Sequence, residues 1–293
     1  MKTGLIAMIG PPNAGKSTLL NQLLGQKISI VSPKPQTTRN RIMGVVNGEG
    51  CQMVFLDTPG IHQARSLLNR EMVQNALNSL TGIDLIIFMI DISFPNPEKL
   101  KGVLQELKKS DKPVLLLVNK IDLIDKNKLL PILKAYNDFF PFHALLPVSA
   151  LAGEGMEKIK EEIIPLLPEG PPLFPEDTPT DVNEHFIASE MIREKIFLLT
   201  HQEVPYSTAV IIDLFQEEEG QPVTIHATIY LERSSQKGIV IGQKGSMLKK
   251  IGTAARKDIQ KMLGTRVVLN LWVKVKKEWS RDSGFLKELR ITD

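Results

Sequence analysis

Residues 10–17 read Gly-Pro-Pro-Asn-Ala-Gly-Lys-Ser, and this octapeptide restricts the fold more than any other part of the chain. It follows an apolar run, Leu5-Ile6-Ala7-Met8-Ile9, and precedes a helix-compatible stretch from Ser17 to Leu24. A buried strand, a tight loop and a helix in that order fit the G-x-x-x-x-G-K-S/T pattern. Such a loop turns backbone N–H groups inward beside a helix N-terminus, and so cradles phosphate. Lys16 is then placed to reach the outer phosphates and the Ser17 hydroxyl to ligate Mg²⁺. Gly10, Pro11, Pro12, Asn13, Ala14, Gly15 and Thr18 complete the turn. By itself the motif specifies a nucleoside triphosphate and no particular base.

The base is indicated further on. Asn119-Lys120-Ile121-Asp122 closes the apolar run Val114–Val118. A carboxylate there accepts two hydrogen bonds from the guanine ring N–H and exocyclic amine. Adenine would leave part of it unpaired, which is costly in a buried site. Val148-Ser149-Ala150 ends the last apolar run and is placed to turn backbone N–H groups of Ser149 and Ala150 toward the guanine oxygen. Asp57-Thr58-Pro59-Gly60 follows the run Met53–Leu56. Asp57 there suits Mg²⁺ held through water, and the Gly60 N–H the terminal phosphate. Between these segments lies Gln36-Thr37-Thr38-Arg39, where a threonine can ligate Mg²⁺ in one nucleotide state and release it in the other. Thr38 is the better placed of the two.

The surrounding pattern is α/β. Apolar runs at 5–9, 53–56, 85–90, 114–118 and 144–148 predict five strands, with helical stretches between the later ones, at 98–109 and 128–139. Near-continuous apolar strands separated by helices imply a mostly parallel sheet covered on both faces. The chain's 293 residues exceed one such domain. Six prolines between Ile163 and Val182 read as a partly stiff linker, dividing the chain into residues 1–165, 166–182 and 183–293. The single cysteine, Cys51, excludes a disulfide framework and a cysteine metal cluster, and reads as a core residue. No apolar run reaches the ~18 residues of a membrane span, and Met1–Gly10 reads as a first strand and not as a targeting segment.

Past the linker the pattern becomes helix, two strands, two helices, strand: a smaller α+β domain. The mild net charge of +3 conceals a sharp polarity. Leu173–Glu232 holds two basic and twelve acidic residues, whereas Arg233–Lys277 holds twelve basic and one acidic. Within the basic stretch, Gly242-Gln243-Lys244-Gly245 joins two predicted helices. A glycine-bounded turn carrying a lysine within so basic a stretch is a candidate polyanion-binding surface. Lys237, Lys249, Lys250, Arg256 and Lys257 are candidate phosphate contacts, and Ile239 and Ile241 candidate groove walls. Trp272 and Trp279 are expected to serve mainly in packing.

The nucleotide-binding segments, with the Pro35–Arg39 loop and the Pro12–Ser17 turn in particular, resemble the Era branch of the translation-factor-related GTPases. The basic domain resembles a KH domain of type II. Leu167–Pro171, Ile192–Lys195 and Gln236–Gly242 extend the resemblance over nearly the whole chain. It implies a P-loop GTPase domain followed by a KH domain, binding of the 3′ end of 16S rRNA, and action in small ribosomal subunit maturation as a nucleotide-gated switch. It further implies a monomer of the bacterial cytoplasm with peripheral membrane association. Ile61 stands where Ras-like GTPases carry the water-orienting glutamine. In relatives with a hydrophobic residue there, the asparagine matching Asn13 helps hold K⁺, so slow, K⁺-stimulated hydrolysis is expected. Two readings of other classes stay open: a metabolic kinase, which would favour ATP, and a membrane-surface GTPase whose basic segment binds anionic lipid.

Overall fold

The structure is a computed structural model and describes residues 1–34, 37–58, 82–93 and 96–291. The described residues in Met1–Ile28, Thr38–Gln63 and Met72–Asp181 form one compact unit, and those in Ser29–Thr37 and Val182–Asp293 form a second.

The first unit is built on a six-stranded sheet. Its strands are β1 (Lys2–Ile9), β2 (Ile42–Gly48), β3 (Cys51–Asp57), β4 (Leu85–Asp91), β5 (Val114–Asn119) and β6 (Ala144–Pro147), in the order β2-β3-β1-β4-β5-β6. All neighbours are parallel except β2, which pairs antiparallel with β3 at the edge. Every residue of β3, β4 and β5 is buried, as expected for strands covered on both faces. Phe88, Tyr136, Phe140 and Phe142 fill one side of this core. Helices α1 (Lys16–Leu24), α2 (Lys101–Lys109), α3 (Leu129–Phe139) and α4 (Met156–Ile163) complete the unit as described. Cys51 is buried.

Two features differ from the sequence-based expectation. Strand β2 lacks a pattern of its own because Gly44 interrupts its apolar run. A side chain at that position would press within 2.6 Å of Leu20. The proline-rich stretch, expected as a linker, is hydrogen-bonded along much of its length to the first unit. Lys2 Nζ donates to Leu167 O, Gln52 Nε2 to Phe174 O, and Thr180 Oγ1 to Met43 O. Backbone bonds join it to the sheet as well, Thr3 N–H donating to Pro168 O and Val45 N–H to Pro179 O, because proline lacks a donor but its carbonyl still accepts.

The second unit packs helices against a three-stranded sheet. The order along the chain is α5 (Glu184–Leu199), β7 (Thr208–Gln216), β8 (Val223–Leu231), α6 (Ser234–Ile241), α7 (Ser246–Leu263), β9 (Val267–Val275) and α8 (Ser283–Glu288). Strand β8 is central, antiparallel to β7 and parallel to β9. Asn183 caps α5 by accepting from Phe186 N–H, and most of this helix is buried. Helix α7 buries Ile251, Ala255 and Ile259 at four-residue spacing and leaves Lys249, Lys250, Arg256 and Lys257 exposed. Among the described residues no helix is long and apolar enough to cross a membrane.

Candidate nucleotide site and candidate RNA loop

The ends of β1, β3, β5 and β6 and the start of α1 converge in the first unit. Gly15 opens α1 at φ 100°. A Cβ there would stand 2.1 Å from Asn119 Nδ2, so only glycine lets the loop pass under that side chain. Asn119 is the brace: its Nδ2 donates to Ala14 O at 2.8 Å and its Oδ1 accepts from Ala150 N–H at 2.9 Å. One buried amide thus ties the phosphate loop to the segment after β6. Asp122 accepts from Ser149 Oγ at 2.6 Å, which orients its carboxylate. The Ser149 N–H donates to Glu154 O at 3.1 Å. The N–H groups of Ser149 and Ala150, expected to face a guanine oxygen, are therefore turned onto protein acceptors.

Lys16 is buried and donates to Gly10 O at 3.1 Å and Pro11 O at 3.2 Å. Burial lowers its pKa to about 8, against an opposing pull from Asp57. Ser17 Oγ donates to Asp57 Oδ2 at 2.7 Å and lies 2.8 Å from Thr38 Oγ1. These three hard oxygen donors, one of them anionic, fit Mg²⁺. Among the described residues no group of three His, Cys, Asp or Glu side chains is placed to hold a metal without further ligands. Thr58 is buried, its hydroxyl on Met8 O. Asn13 adopts a left-handed φ of 62° in the loop. Pro11, Pro12 and Thr18 line the same turn, and Arg39 is buried nearby in the chain. Gln36, Pro59, Gly60 and Ile61 lie outside the described residues.

Two contacts were not legible from motifs. Lys120 pairs with Asp91 at 3.1 Å, and an acidic residue closing the buried run 85–90 was the available signal. The stretch before Thr38 is held by α5: Glu194 Oε1 accepts from Val31 N–H at 2.9 Å, Lys34 Nζ donates to the Phe197 and Thr200 carbonyls, and Arg193 donates to Thr37 O. A lysine on the last carbonyls of a helix satisfies orphan acceptors and complements the dipole.

In the second unit, Gly242-Gln243-Lys244-Gly245 forms the turn between α6 and α7. Gln243 and Lys244 are exposed, with Lys244 at φ 48° and Gly245 at φ 78°. Lys237 and Ile239 are exposed on α6, and Ile241 is half-buried. The loop thus presents backbone and one ammonium to solvent beside the basic face of α7. Trp279 is fully buried, its indole N–H on Ser207 O at 2.9 Å, as expected for a packing residue. Trp272 departs from that expectation, being 46% exposed on β9.

Residues 5–120 match the family described as 50S ribosome-binding GTPase, and residues 203–280 the KH domain family. The chain is 54% identical over 288 residues to the GTPase Era of Geobacter sp. strain M21, covering 98% of this chain and 97% of the relative. The chain belongs to the Era family of GTPases. It is 50% identical to the Era GTPase of Syntrophus aciditrophicus over 98% of this chain and 94% of that one. Two solved Era structures, each 40% identical and matched over 100% of both chains, superpose with a TM-score of 0.95. One is an Aquifex aeolicus Era variant bound to GDP·AlF₄⁻, and the other an Era complex with MgGDPNP and nucleotides 1506–1542 of 16S ribosomal RNA. As an Era-family protein the chain is a GTPase with a P-loop nucleotide-binding fold and a C-terminal KH domain.

Proposed function

We propose that this Era-family GTPase binds GTP in the first unit and the 3′ end of 16S rRNA in the second, acting in small-subunit maturation as a nucleotide-gated switch. The observation that carries the reading is one chain holding both the Asn119-braced phosphate loop with its Ser17–Asp57–Thr38 oxygen cluster and an exposed G-x-x-G turn between two helices. Its relatives' complexes with MgGDPNP and 16S rRNA nucleotides support it.

Lys16 reaches the β- and γ-phosphates, and Asp122, oriented by Ser149, pairs with the guanine edge. Lys120 lines the base, with Asp91 holding its ammonium. Ser17, Thr38 and Asp57 would hold Mg²⁺, which bridges phosphate oxygens and neutralises their charge. Asn13 would contribute to a K⁺ position beside the phosphates. The loop 36–39 is the nucleotide-sensing segment, with Thr38 joining Ser17 on Mg²⁺ when the γ-phosphate is present and releasing the ion after hydrolysis. In the second unit Gly242–Gly245 clamps the RNA backbone, while Lys237, Lys249, Lys250, Arg256 and Lys257 meet phosphates and Ile239 and Ile241 wall the groove. Domain boundaries of 1–165, 166–182 and 183–293 go with this reading, as do a cytoplasmic monomer and peripheral membrane contact.

The test is crosslinking and sequencing of RNA bound to the full chain with a non-hydrolysable GTP analogue, with GDP, and in a Gly245→Asp variant. Enrichment of the small-subunit rRNA 3′ end is expected, stronger with the analogue and lost in the variant. Salt-sensitive liposome binding with no specific RNA would transfer the reading to a membrane-surface GTPase.

A further inference from the structure

The sheet of the second unit has two faces; α5, α6 and α7 cover one, and on the other α8 reaches Tyr230 and Lys276 through Phe285. Along β9, Val267 and Val273 are buried, while Val268, Asn270, Trp272 and Lys274 are exposed. Side chains alternate across a strand, so these four share the face turned away from α7. Register places Asn270 opposite His226 of β8 and Trp272 opposite Thr228. His226 meets Trp272 edge-on, with ring centroids 5.1 Å apart and planes at 69°. That contact holds the indole in one orientation and leaves 46% of the residue open.

Such an aromatic on a sheet is a surface for something, and the surrounding residues select what. Lys274 lies two residues along the strand from Trp272, about 7 Å by strand geometry. Lys274 enters no ion pair among the described residues, nor does Arg266, which precedes the strand and stands about 20 Å along it from Trp272. Lys276 is already engaged by Asp282. Besides that Asp282, Asp213 lies on this face, across the sheet on β7, and it accepts from Thr228 Oγ1 at 2.6 Å. The centre of a protein–protein contact is depleted of charge and backed by further apolar area. Val268 and Leu214 are exposed on the same face, but the indole's immediate neighbours along and across the strands are Asn270, His226, Thr228 and the available cation Lys274. Aromatic faces beside cations that track a backbone are how sheets hold single-stranded nucleic acid, with an amide supplying donors and acceptors to base edges.

We propose that this face is a second RNA contact, distinct from the G-x-x-G turn. A nucleobase stacks on Trp272, Lys274 meets a flanking phosphate, and Asn270 pairs with a base edge. The proposal rests on the RNA-binding reading above and assigns it a second surface on the opposite side of the sheet.

The two tryptophans make the test direct. Trp279 is fully buried and Trp272 is open, so collisional quenching by acrylamide reports Trp272. The full chain with a GTP analogue would be titrated with an RNA of the 16S 3′-terminal sequence and with an unstructured single-stranded RNA 12-mer. Bound RNA should alter Trp272 emission and shield it from acrylamide. Trp272→Ala should weaken binding about 5- to 100-fold, and Trp272→Phe much less. Lys274→Glu, on a solvated position that does not endanger folding, should also weaken it and flatten the salt dependence by about one phosphate contact. Gly245→Asp should weaken overall affinity yet still show Trp272 shielding at saturation. Unchanged accessibility at saturating RNA with wild-type affinity in Trp272→Ala would overturn the second contact while the RNA reading stands. Shielding that grows with protein concentration without RNA would overturn it in favour of self-association. Failure of wild type to bind either RNA would remove both readings together.

Discussion

The Arg193 guanidinium donates to the backbone carbonyl of Thr37, one residue before Thr38, whose hydroxyl lies 2.8 Å from Ser17 Oγ. Arg193 is also gripped bidentately by Glu190, with Nε at 2.6 Å from Oε1 and a terminal nitrogen on Oε2. Both side chains are almost wholly buried. The described residues among 29–37 therefore group by contact with α5, and the division between units falls between Thr37 and Thr38.

Arg193→Ala would leave the Glu190 carboxylate buried without its cation and take a charged donor from Thr37 O. Losing one partner of a buried pair costs about 3–5 kcal/mol. Denaturant unfolding should show that drop. Arg193→Lys should recover less than half of it, since an ammonium cannot match the two-point geometry. An unchanged midpoint for Arg193→Ala would remove the pair from the structural account.

Asp122→Asn exchanges a double acceptor for an amide. Guanine affinity should fall at least about 10- to 100-fold as two charge-assisted hydrogen bonds are lost. Xanthine nucleotides, with a carbonyl in place of the exocyclic amine, should gain relative to guanine. Competition of GTP and XTP for the variant measures this, and an unaltered preference would mean that Asp122 does not read the base. Asn119→Ala should act on both sides of the site together, since it releases Ala14 O and Ala150 N–H.

Lys16 sets a pH dependence. Its pKa in the free protein is held at about 8 by burial. Phosphate oxygens beside it favour the ammonium, so nucleotide binding raises the value. Below about pH 8 the group is already charged. Above it, binding takes up a proton, and affinity should decline as pH rises. Calorimetry of GDP binding at pH 8.5 in two buffers of different ionisation heat should show fractional proton uptake; none between pH 7.5 and 9 would contradict the assignment. Stability of the free protein carries the opposite sign. The folded value lies below the ordinary 10.5, so between 8 and 10.5 the unfolded chain holds more protons and this group's contribution rises with pH.

The two glycines of the RNA loop should respond unequally. A Cβ at Gly242 would meet Met247 Cβ at 2.7 Å and its backbone N at 2.8 Å, on top of a φ of 71°. At Gly245 the φ is 78° but the space is open. Gly242→Ala should cost at least about 2–3 kcal/mol, combining strain with overpacking, and Gly245→Ala about 1 kcal/mol. Thermal unfolding of the two variants compares them, and equal losses would mean that the loop accommodates Met247 freely.

If Asn13 contributes to a K⁺ position, GTP turnover at equal ionic strength should be faster in KCl than in NaCl, and Asn13→Ala should abolish the difference. Equal rates in the two salts would end the potassium role without touching nucleotide binding.

Much of the site was legible because its chemistry is contiguous in the chain. Gly10–Ser17, Asp57, Asn119–Asp122 and Ser149–Ala150 each lie at or just past the C-terminal end of a strand, and parallel strands bring those ends to one edge. Less legible were elements whose pattern is set by neighbours. Strand β2 reads poorly because Gly44 makes room for Leu20. The stretch 166–182 was read from its prolines as a linker, yet hydrogen bonds from Lys2 and Gln52 to its carbonyls, and from its Thr180 to Met43 O, bind it along the first unit. Both tryptophans were expected to pack; Trp279 does, whereas Trp272 stands on the uncovered face of an edge strand.

Local spacing of residues thus determined the fold class, the candidate phosphate loop, the Asn119–Asp122 tetrapeptide proposed to read guanine and the G-x-x-G turn, since each depends on neighbours a few positions apart. Only the tertiary structure decided that Asn119 braces Ala14 and Ala150, that Arg193 holds Thr37, and that Trp272 faces outward. Those relationships join residues tens to more than a hundred and fifty positions apart. They come from which buried polar groups find partners, and which faces find cover, once the strands and helices have packed.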